Sequence, residues 1–528
     1  MFRLFASLAL LLCFQLSGTA LHAADKPNIV VILADDMGYS DVHCYGGEID
    51  TPNLDKLADK GLRFTQFYNT ARCWPTRGAL MTGYYAQQVR MDPKGKQRQK
   101  GFPSWTRTIP QMLKPLGYHS YHSGKWHIHA APEVLADAGF ERSYYLGDHD
   151  RNFNPKQTKL DDKPLPPVKP NSGYYTTDAA ADHAIDFLKE HATKYPDAPF
   201  FEYLAFTVPH FPLHAPPEDI AKYKERYKRG WDVMRQERFE REKKLGLVSG
   251  ELSAPEGQIH APSGGPDTPS KTSPDELFNY KKWDDLTESQ KDYQAGKMAI
   301  HAAMIDRMDQ NIGRVIGQLK AMKQFDNTLI VFLSDNGASA EIMVRGDGND
   351  IAAAMGSAAS FLCLGPGWAN MCNSPFRRYK IWTHEGGVST PLIAHWPKGI
   401  TAQGELRHDL GHVVDLMPTI LDVAGIPSDK VSDTAPAFPG RSLVPAFAKD
   451  NSVQHDFIFY HHEGNRGLRV GDYKLVSAKD NSSALELYDM SKDRSEDHNL
   501  ASQQPDKAKE LQDRWDQLEA QYTKDAAR

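Results

Sequence analysis

The stretch NIVVILADDMG, residues 28–38, decides the fold class. Its uninterrupted apolar run, from Ile29 to Leu33, is typical of a strand that is buried on both faces within a parallel sheet. Asp35 and Asp36 follow at the carboxyl end of this strand. In open α/β sheets, ligands bind outside the carboxyl ends of the strands. These two carboxylates are therefore predicted to lie at a functional edge of the sheet.

Three further stretches predict strands of the same kind. NTLIVFLSDNGA, residues 327–338, repeats the pattern and ends in Asp335 and Asn336. PFFEYLAFTVPH, residues 199–210, ends in His210, and TPLIAHWP, residues 390–397, completes the set. Because three of the four strands end in polar side chains, they predict one convergent site.

Helical periodicity appears between these strands. TPNLDKLADKG, residues 51–61, directs Leu54 and Leu57 inward, and Gly61 is predicted to cap the helix. Residues 176–191 predict a second helix and residues 295–322 a third. Strands that alternate with helices indicate an α/β fold, with a large mixed, mostly parallel sheet sandwiched by helices. One face of the third helix is an apolar stripe, interpreted as core, that consists of Ile300, Met304, Met308, Ile312, Val315 and Leu319.

Two regions differ from this pattern. Residues of about 216–293 form an insertion, in which YKERYKRGWDVMRQERFEREKK predicts a solvated helix and the following Pro/Gly/Ser-rich stretch predicts a long loop. Residues 451–528 combine short strand patterns with a terminal helix and predict a small C-terminal α+β domain. The main domain is then expected to span residues 24–450.

The amino terminus predicts export. Residues 1–23 combine an early Arg3, an apolar run and small residues, which is typical of a secretory signal peptide. The apolar run is shorter than the roughly 20 residues of a membrane-spanning helix, so no stable membrane insertion is expected. We predict a periplasmic or secreted protein, with a lysosomal location as an alternative. The net charge of −6 disfavours a nucleic acid partner.

Five cysteines occur, at positions 13, 44, 73, 363 and 372, and removal of the signal peptide leaves four. This number is too small for a disulfide framework. Cys363 and Cys372 are close enough in sequence for a local bridge, whereas Cys44 or Cys73 could stay unpaired. The pattern of cysteines leaves the role of Cys73 open.

The polar strand ends are candidate metal ligands. Asp35, Asp36, Asp335 and Asn336 offer hard oxygen ligands, which suit Ca²⁺ or Mg²⁺ better than zinc. Either pair alone is equally typical of a turn.

Basic side chains are the other candidates. In an extended segment, Lys125 and His127 would share one face and could both bind one anion. His210 lies between two prolines, and Lys380 precedes a Gly-Gly turn.

The segment CWPTRGALMTG, residues 73–83, resembles the signature of the type I sulfatases, in which a CxPxR core opens a longer motif. Arylsulfatase-like segments occur in the right order over nearly the whole chain, among them TPNLDKLADKG, GKWH, TVPHFPLHAP, LSDNGASAE and LELYDMSKDRSEDHNLA. This resemblance implies an alkaline-phosphatase-like fold and hydrolysis of sulfate esters to an alcohol or phenol and inorganic sulfate.

The resemblance also implies a modified nucleophile. Cys73 would be converted by a maturation enzyme to Cα-formylglycine, whose hydrate carries two hydroxyl groups. One hydroxyl attacks sulfur and the other loses its proton to expel sulfate, which a serine cannot do. Thr76 stands where the family often has a serine.

Family roles carry over residue by residue. Asp35, Asp36, Asp335 and Asn336 match the ligands of one Ca²⁺, with Mg²⁺ the less expected ion, and an oxygen of modified Cys73 completes the set. At the catalytic positions the resemblance implies that Arg77 holds the hydrated aldehyde, that Lys125 and Lys380 bind sulfate oxygens, that His127 is the base of the elimination step and that His210 is the general acid.

Two other functions remain open from the sequence. One is a phosphonate monoester or phosphodiester hydrolase of the same superfamily, because sulfate and phosphate esters share tetrahedral geometry. The other is an inactive sulfoglycan-binding homologue. The substrate is expected to be a sulfated small molecule or a glycan.

Overall fold

The computed structural model describes residues 26–92, 101–128, 135–262, 264–427, 429–479 and 484–528. The predicted signal peptide, residues 1–23, lies outside these ranges. None of the helices within them has both the length and the apolar character that a bilayer span requires.

The described residues form two sheets and the helices around them. The strands are β1 (Asn28–Asp35), β2 (Leu62–Tyr68), β3 (His119–Gly124), β4 (Arg142–Leu146), β5 (Thr158–Leu160), β6 (Lys163–Pro164), β7 (Phe200–Pro209), β8 (Thr328–Ser334), β9 (Ser389–His395), β10 (Glu405–His412), β11 (Ile458–His462), β12 (Asn465–Val470), β13 (Tyr473–Ser477) and β14 (Leu485–Asp489). The α-helices are α1 (Pro52–Asp59), α2 (Cys73–Thr82), α3 (Ile109–Leu113), α4 (Thr176–Lys194), α5 (Pro217–Tyr223), α6 (Trp231–Lys244), α7 (Thr268–Lys271), α8 (Glu288–Ala321), α9 (Pro366–Cys372), α10 (Glu385–Val388), α11 (Leu416–Val423), α12 (Val444–Ala448) and α13 (Pro505–Ala527).

Within the described ranges the large sheet has ten strands, in the order β10-β2-β9-β8-β1-β7-β3-β4-β5-β6. The central run from β8 to β4 is parallel throughout. The predicted mixed, mostly parallel sheet is confirmed. One strand differs from our expectation, because β9 runs antiparallel to both of its neighbours, β8 and β2.

Strand register brings the predicted polar ends together. β1 and β8 pair Ala34 with Ser334, so that Asp35 and Asp335 follow side by side. On the other side of β1, a register shift pairs Asp35 with Pro209 of β7, which places His210 at the same edge.

The core lies on both faces of this sheet. Alternate residues of β1 point to opposite sides, and the apolar stripe of α8 packs beneath one of them. Every residue of that stripe is buried, so its interpretation as core is confirmed. The opposite face packs against α2, α11 and α13.

Gly61 has a different role from the predicted cap. The helix α1 ends at Asp59, and Lys60 occupies the cap position. A Cβ atom on Gly61 would lie 2.4 Å from the backbone oxygen of Ala394 on β9. The glycine therefore permits a close approach of the chain to the sheet, which helix periodicity does not reveal.

The prediction of a solvated helix in the insertion is wrong for one face of α6. Trp231, Met234 and Phe239 are buried there, and so are two arginines, Arg235 and Arg238. These charges are tolerated because acceptors meet them: Arg238 pairs with Asp41 at 2.8 Å and with Glu48 at 2.8 Å. Charge density along the sequence does not distinguish such buried ion pairs from a solvated surface.

The C-terminal region forms the second, antiparallel sheet in the order β11-β12-β13-β14, with α13 beside it. Trp515 of α13 stacks on Phe459 of β11, with ring centroids 5.4 Å apart. This small α+β unit confirms the predicted second architecture, while the boundary at residues 450 and 451 stays a prediction.

Candidate active site

Cys73 is the first residue of α2 and is buried. Arg77 follows one helical turn later and therefore shares its face of the helix. The ligand atoms of Cys73, Asp35 and Asp335 lie within 4.8 Å of one another. The hydroxyl of Thr76 accepts a hydrogen bond from the backbone N–H of Thr70 at 3.1 Å and lies 2.8 Å from the hydroxyl of Thr70, so threonine serves the turn before the helix.

The four oxygen-bearing side chains meet at the edge of the large sheet. Asn336 donates from Nδ2 to Asp36 Oδ1 at 2.7 Å, and the backbone N–H of Asp36 donates to Asp335 Oδ1 at 3.3 Å. Asp36 adopts a left-handed backbone conformation with φ of 66°. All four residues are buried.

Three buried cations surround these acids. Lys125 Nζ lies 2.5 Å from Asp35 Oδ2, and Lys380 Nζ lies 2.8 Å from the carboxylate of Asp36. Arg77 donates from Nε to Asp335 at 2.8 Å and from Nη1 to the backbone oxygen of Lys125 at 2.8 Å. Lys125, Lys380 and Arg77 thus each contact one of the predicted metal ligands.

Lys125 and His127 are predicted to share one face if their segment is extended. The segment is not extended. Gly124 has φ of +115° and His127 has φ of 52°. A Cβ atom on Gly124 would lie 1.9 Å from the backbone oxygen of Ala205, so only glycine fits at this turn. The turn directs Lys125 to the acids, while the ring of His127 packs edge-on against Trp74, with centroids 5.9 Å apart.

His210 lies at the same edge, after β7. Its Nε2 is 3.7 Å from Asp36 Oδ2, and its Nδ1 contacts the backbone oxygen of Phe211. The ring of His149 lies between the two predicted catalytic histidines, 5.3 Å from His210 and 5.2 Å from His127 by ring centroids.

Burial and the neighbouring charges shift the pKa values in the site. Burial raises the pKa of Asp335 to about 7, with the charge of Asp35 adding to the shift. Burial also favours the neutral form of Asp35, but Lys125 and Arg77 outweigh it and hold that pKa below its usual value. Burial together with Lys380 depresses the pKa of His210 well below its ordinary range.

The acid cluster fits a hard cation. Asp35 Oδ1 and Asn336 Oδ1 are buried oxygens without a hydrogen-bond partner in the described part of the chain. Buried acceptors that lack a partner are costly, and a metal ion is one way to satisfy them. An all-oxygen donor set suits Ca²⁺ or Mg²⁺.

Two site residues carried no predicted role. Glu341 binds Lys380 at 2.8 Å and Arg72 at 2.8 Å, and so holds Lys380 in place from the far side. Its only sequence signal is its position six residues after Asp335. His149 follows β4 in a loop without a recognisable motif, so sequence periodicity could not identify it.

The cysteines of the described residues form no disulfide. Cys44, Cys73, Cys363 and Cys372 are all free and buried, so the local bridge between Cys363 and Cys372 does not form.

A family model described as Sulfatase matches residues 27–426, and one described as N-sulphoglucosamine sulphohydrolase, C-terminal, matches residues 377–524. The chain belongs to the sulfatase family. An uncharacterised sulfatase of Schizosaccharomyces pombe is 34% identical to this sulfatase over 542 residues, which cover 94% of each chain. An arylsulfatase of Klebsiella aerogenes is 32% identical over 452 residues, or 79% of this chain and 91% of the relative.

The fold of this sulfatase is also found among solved structures. That of Ps i-CgsB in complex with k-i-k-neocarrahexaose aligns with a TM-score of 0.65 at 24% identity, covering 94% of this chain and 93% of the other. The matched family model and these relatives are sulfatases, which are sulfuric ester hydrolases.

Proposed function

We propose that this sulfatase cleaves sulfate esters by an arylsulfatase-type reaction, with formylglycine formed from Cys73 and with one bound Ca²⁺. The observation that carries the proposal is the convergence of Cys73 with Asp35 and Asp335 beneath two buried lysines, Lys125 and Lys380. An acid cluster, a nucleophile position and cations for a tetrahedral anion thus meet at one edge of the sheet.

Cys73 is poorly suited to react as a thiol. Burial raises the pKa of its side chain despite the nearby Lys125 and Lys380, so the reactive thiolate is disfavoured near neutral pH. Formylglycine at this position supplies, as its hydrate, one hydroxyl group for attack on sulfur and a second whose deprotonation releases sulfate.

Asp35, Asp36, Asp335 and Asn336 would hold the calcium ion. The ion supplies Lewis-acid charge that makes a nearby hydroxyl more acidic and opposes the charge of the ester. The two unpartnered oxygens, on Asp35 and Asn336, support this assignment.

The lysines bind the sulfate oxygens. Burial alone would lower the pKa of Lys380, but Asp36 and Glu341 outweigh burial and hold that pKa above its usual value, so the ammonium stays charged. Preorganised donors of this kind typically contribute about 3–4 kcal/mol each to a transition state. Arg77 fixes the nucleophile helix against Asp335.

His210 delivers the proton to the leaving oxygen, and His127 accepts a proton in the elimination step. The contact between His210 Nδ1 and the Phe211 carbonyl means that Nδ1 carries a hydrogen, because a carbonyl oxygen only accepts. Nε2 is then the atom that gains and loses the catalytic proton. An anionic sulfate ester beside the ring favours the protonated form.

The mass of residue 73 tests the proposal. Formylglycine is about 18 Da lighter than cysteine, since CH₂SH becomes CHO. Peptide mass spectrometry on protein from the native host should find this loss, and turnover of 4-nitrophenyl sulfate should scale with the modified fraction. Cys73→Ala should abolish turnover, and Cys44→Ala is the matched control at another buried thiol.

Two results would overturn the proposal. Unmodified Cys73 in native protein without turnover would favour a sulfoglycan-binding homologue. A preference for an aryl phosphonate over the aryl sulfate by orders of magnitude would favour a phosphonate monoester or phosphodiester hydrolase.

Export to the periplasm or medium is proposed from residues 1–23 and is tested by fractionating the native host.

A further inference from the structure

Two loops form a rim beside the candidate active site. The first follows β4 and contains His149, Asp150 and Arg151, and the second, around residues 343–350, contains Arg345 and Asp347. Ion pairs join them: Arg345 to Asp150 at 2.8 Å and Arg151 to Asp347 at 2.7 Å. Two separate ion pairs therefore connect the two loops.

His149 is the part of this rim that reaches the site. Its ring contacts the rings of both His127 and His210, with centroid distances of 5.2 and 5.3 Å. Arg345 Nη2 lies 3.4 Å from His149 Nε2. Because a guanidinium only donates, Nε2 must be the acceptor nitrogen, and the ring hydrogen is then on Nδ1. His149 therefore orients Arg345 by accepting from it, and its own N–H points away from the guanidinium.

Arg345 brings a positive charge to the same place. Its guanidinium carbon lies 5.1 Å from the centroid of the Phe211 ring, next to His210, and Lys380 Nζ lies 5.3 Å from the same centroid. The side chain is 39% exposed, so a ligand can reach it. Arg345 donates from Nε to Asp150, while its Nη1 has no hydrogen bond within the described residues.

We propose that Arg345, held beside the site by Asp150 and His149, binds a second anionic group, a carboxylate or a sulfate, on the molecule that carries the scissile sulfate ester. This inference rests on the proposed function, since it assigns the leaving-group side from His210. A guanidinium with an available N–H edge matches the paired oxygens of such a group. Polyanionic saccharides are then preferred over singly sulfated neutral ones.

Binding to the Cys73→Ala variant tests the proposal without turnover. The probes are N-acetylglucosamine 6-sulfate, glucosamine N,6-disulfate and a uronate-linked N-acetylglucosamine 6-sulfate, measured by calorimetry at fixed ionic strength. At least one probe with a second anion should bind about tenfold or more tightly than the singly charged one. The two arms separate a sulfate from a carboxylate as the recognised group.

Variants assign the discrimination to Arg345. Arg345→Gln should reduce the affinity ratio by about tenfold, and Arg345→Lys should retain part of it because the charge persists. Arg151→Gln, which removes the neighbouring rim ion pair, should keep the ratio. Equal affinities for all probes, an unchanged ratio in Arg345→Gln, or the same loss in Arg151→Gln would each overturn the subsite.

The outcome is separable from that of the proposed function. Failure of sulfate ester hydrolysis is read from wild-type turnover of 4-nitrophenyl sulfate with residue 73 verified by mass. The affinity ratios are measured on Cys73→Ala and do not depend on that turnover.

Discussion

Arg77 and Asp335 form an ion pair that is closed to solvent, with Arg77 Nε donating to Asp335 Oδ2 at 2.8 Å. Arg77 belongs to the helix that begins with Cys73, and Asp335 follows the strand β8. The pair thus joins the nucleophile position to the acid cluster. Both partners are fully buried, which makes their interaction sensitive to the loss of either charge.

We expect Arg77→Met to destabilise the protein strongly. Removal of Arg77 takes away the counter-charge closest to the buried carboxylate of Asp335, and breaking a buried ion pair typically costs about 3–5 kcal/mol. The free energy of unfolding in urea measures this effect. The matched control is Arg229→Met, which removes an exposed pair with Glu237 and should leave stability unchanged. Equal effects of the two substitutions would contradict the importance of the buried pair.

Calcium should stabilise the folded protein. A ligand that binds only the native state adds about 2.7 kcal/mol at one hundred times its dissociation constant. We expect thermal unfolding in CaCl₂ to occur at higher temperature than in EGTA, with a smaller increment for Mg²⁺. Asn336→Ala should reduce the increment.

The control for the calcium experiment is Asp309→Asn, a buried acid that accepts from the backbone N–H of Leu54 at 2.8 Å, away from the site. This variant should keep the full calcium increment even if its basal stability falls. An increment that survives in Asn336→Ala would exclude Asn336 as a ligand.

His210→Gln should slow poor leaving groups more than good ones. A general acid contributes about 10²–10⁴-fold to a step that needs protonation, and an alkyl alcohol needs it more than 4-nitrophenol. The kcat ratio for an alkyl sulfate and 4-nitrophenyl sulfate is the measurement. His214→Gln is the control, since His214 is buried four residues away and its Nε2 lies 2.7 Å from the Ser360 carbonyl. Equal losses on both substrates in His210→Gln would reject the acid role.

Glu202 predicts a pH dependence of stability. It lies buried in β7, its two carboxylate oxygens have no hydrogen-bond partner among the described residues, and burial raises its pKa well above the usual 4.5. The folded state therefore keeps this proton longer than the unfolded chain does. The contribution to stability is complete below pH 4.5 and is lost as the pH rises toward the folded pKa, at up to about 1.4 kcal/mol per pH unit.

Glu202→Leu should remove this component of the pH slope and stabilise the protein at neutral and alkaline pH. Urea unfolding across the pH range measures both effects. Glu251→Gln, at an exposed position, should retain the wild-type slope. An identical slope in wild type and Glu202→Leu would mean that Glu202 does not titrate differently in the two states.

Local patterns were sufficient for the main elements. The apolar runs of β1 and β8 and the stripe of α8 follow from the requirement to bury apolar side chains at a fixed period, so they can be read along the chain. The polar residues at the strand ends can be identified in the same way, because they come directly after the apolar runs. The motif CWPTRGALMTG identified the family because its residues are contiguous.

Other features depend on partners that are distant in sequence. The buried arginines of α6 look solvated until Asp41 and Glu48 are placed against them. Gly61 looks like a helix cap until Ala394 approaches it. The sequence of β9 resembles that of the other buried strands, because a strand buried on both faces has the same apolar pattern whether it runs parallel or antiparallel. Only its pairing with β8 shows that it is antiparallel.

The sequence by itself determined the α/β class, the acids at the strand ends and the membership in the sulfatase family, because each depends on contiguous or periodic residues. Only the tertiary structure decided that Glu341 supports Lys380 and that His149 lies between His127 and His210. The physical reason is that strand register and loop packing bring together side chains separated by long stretches of chain, and hydrogen bonds and ion pairs depend on that distance in space.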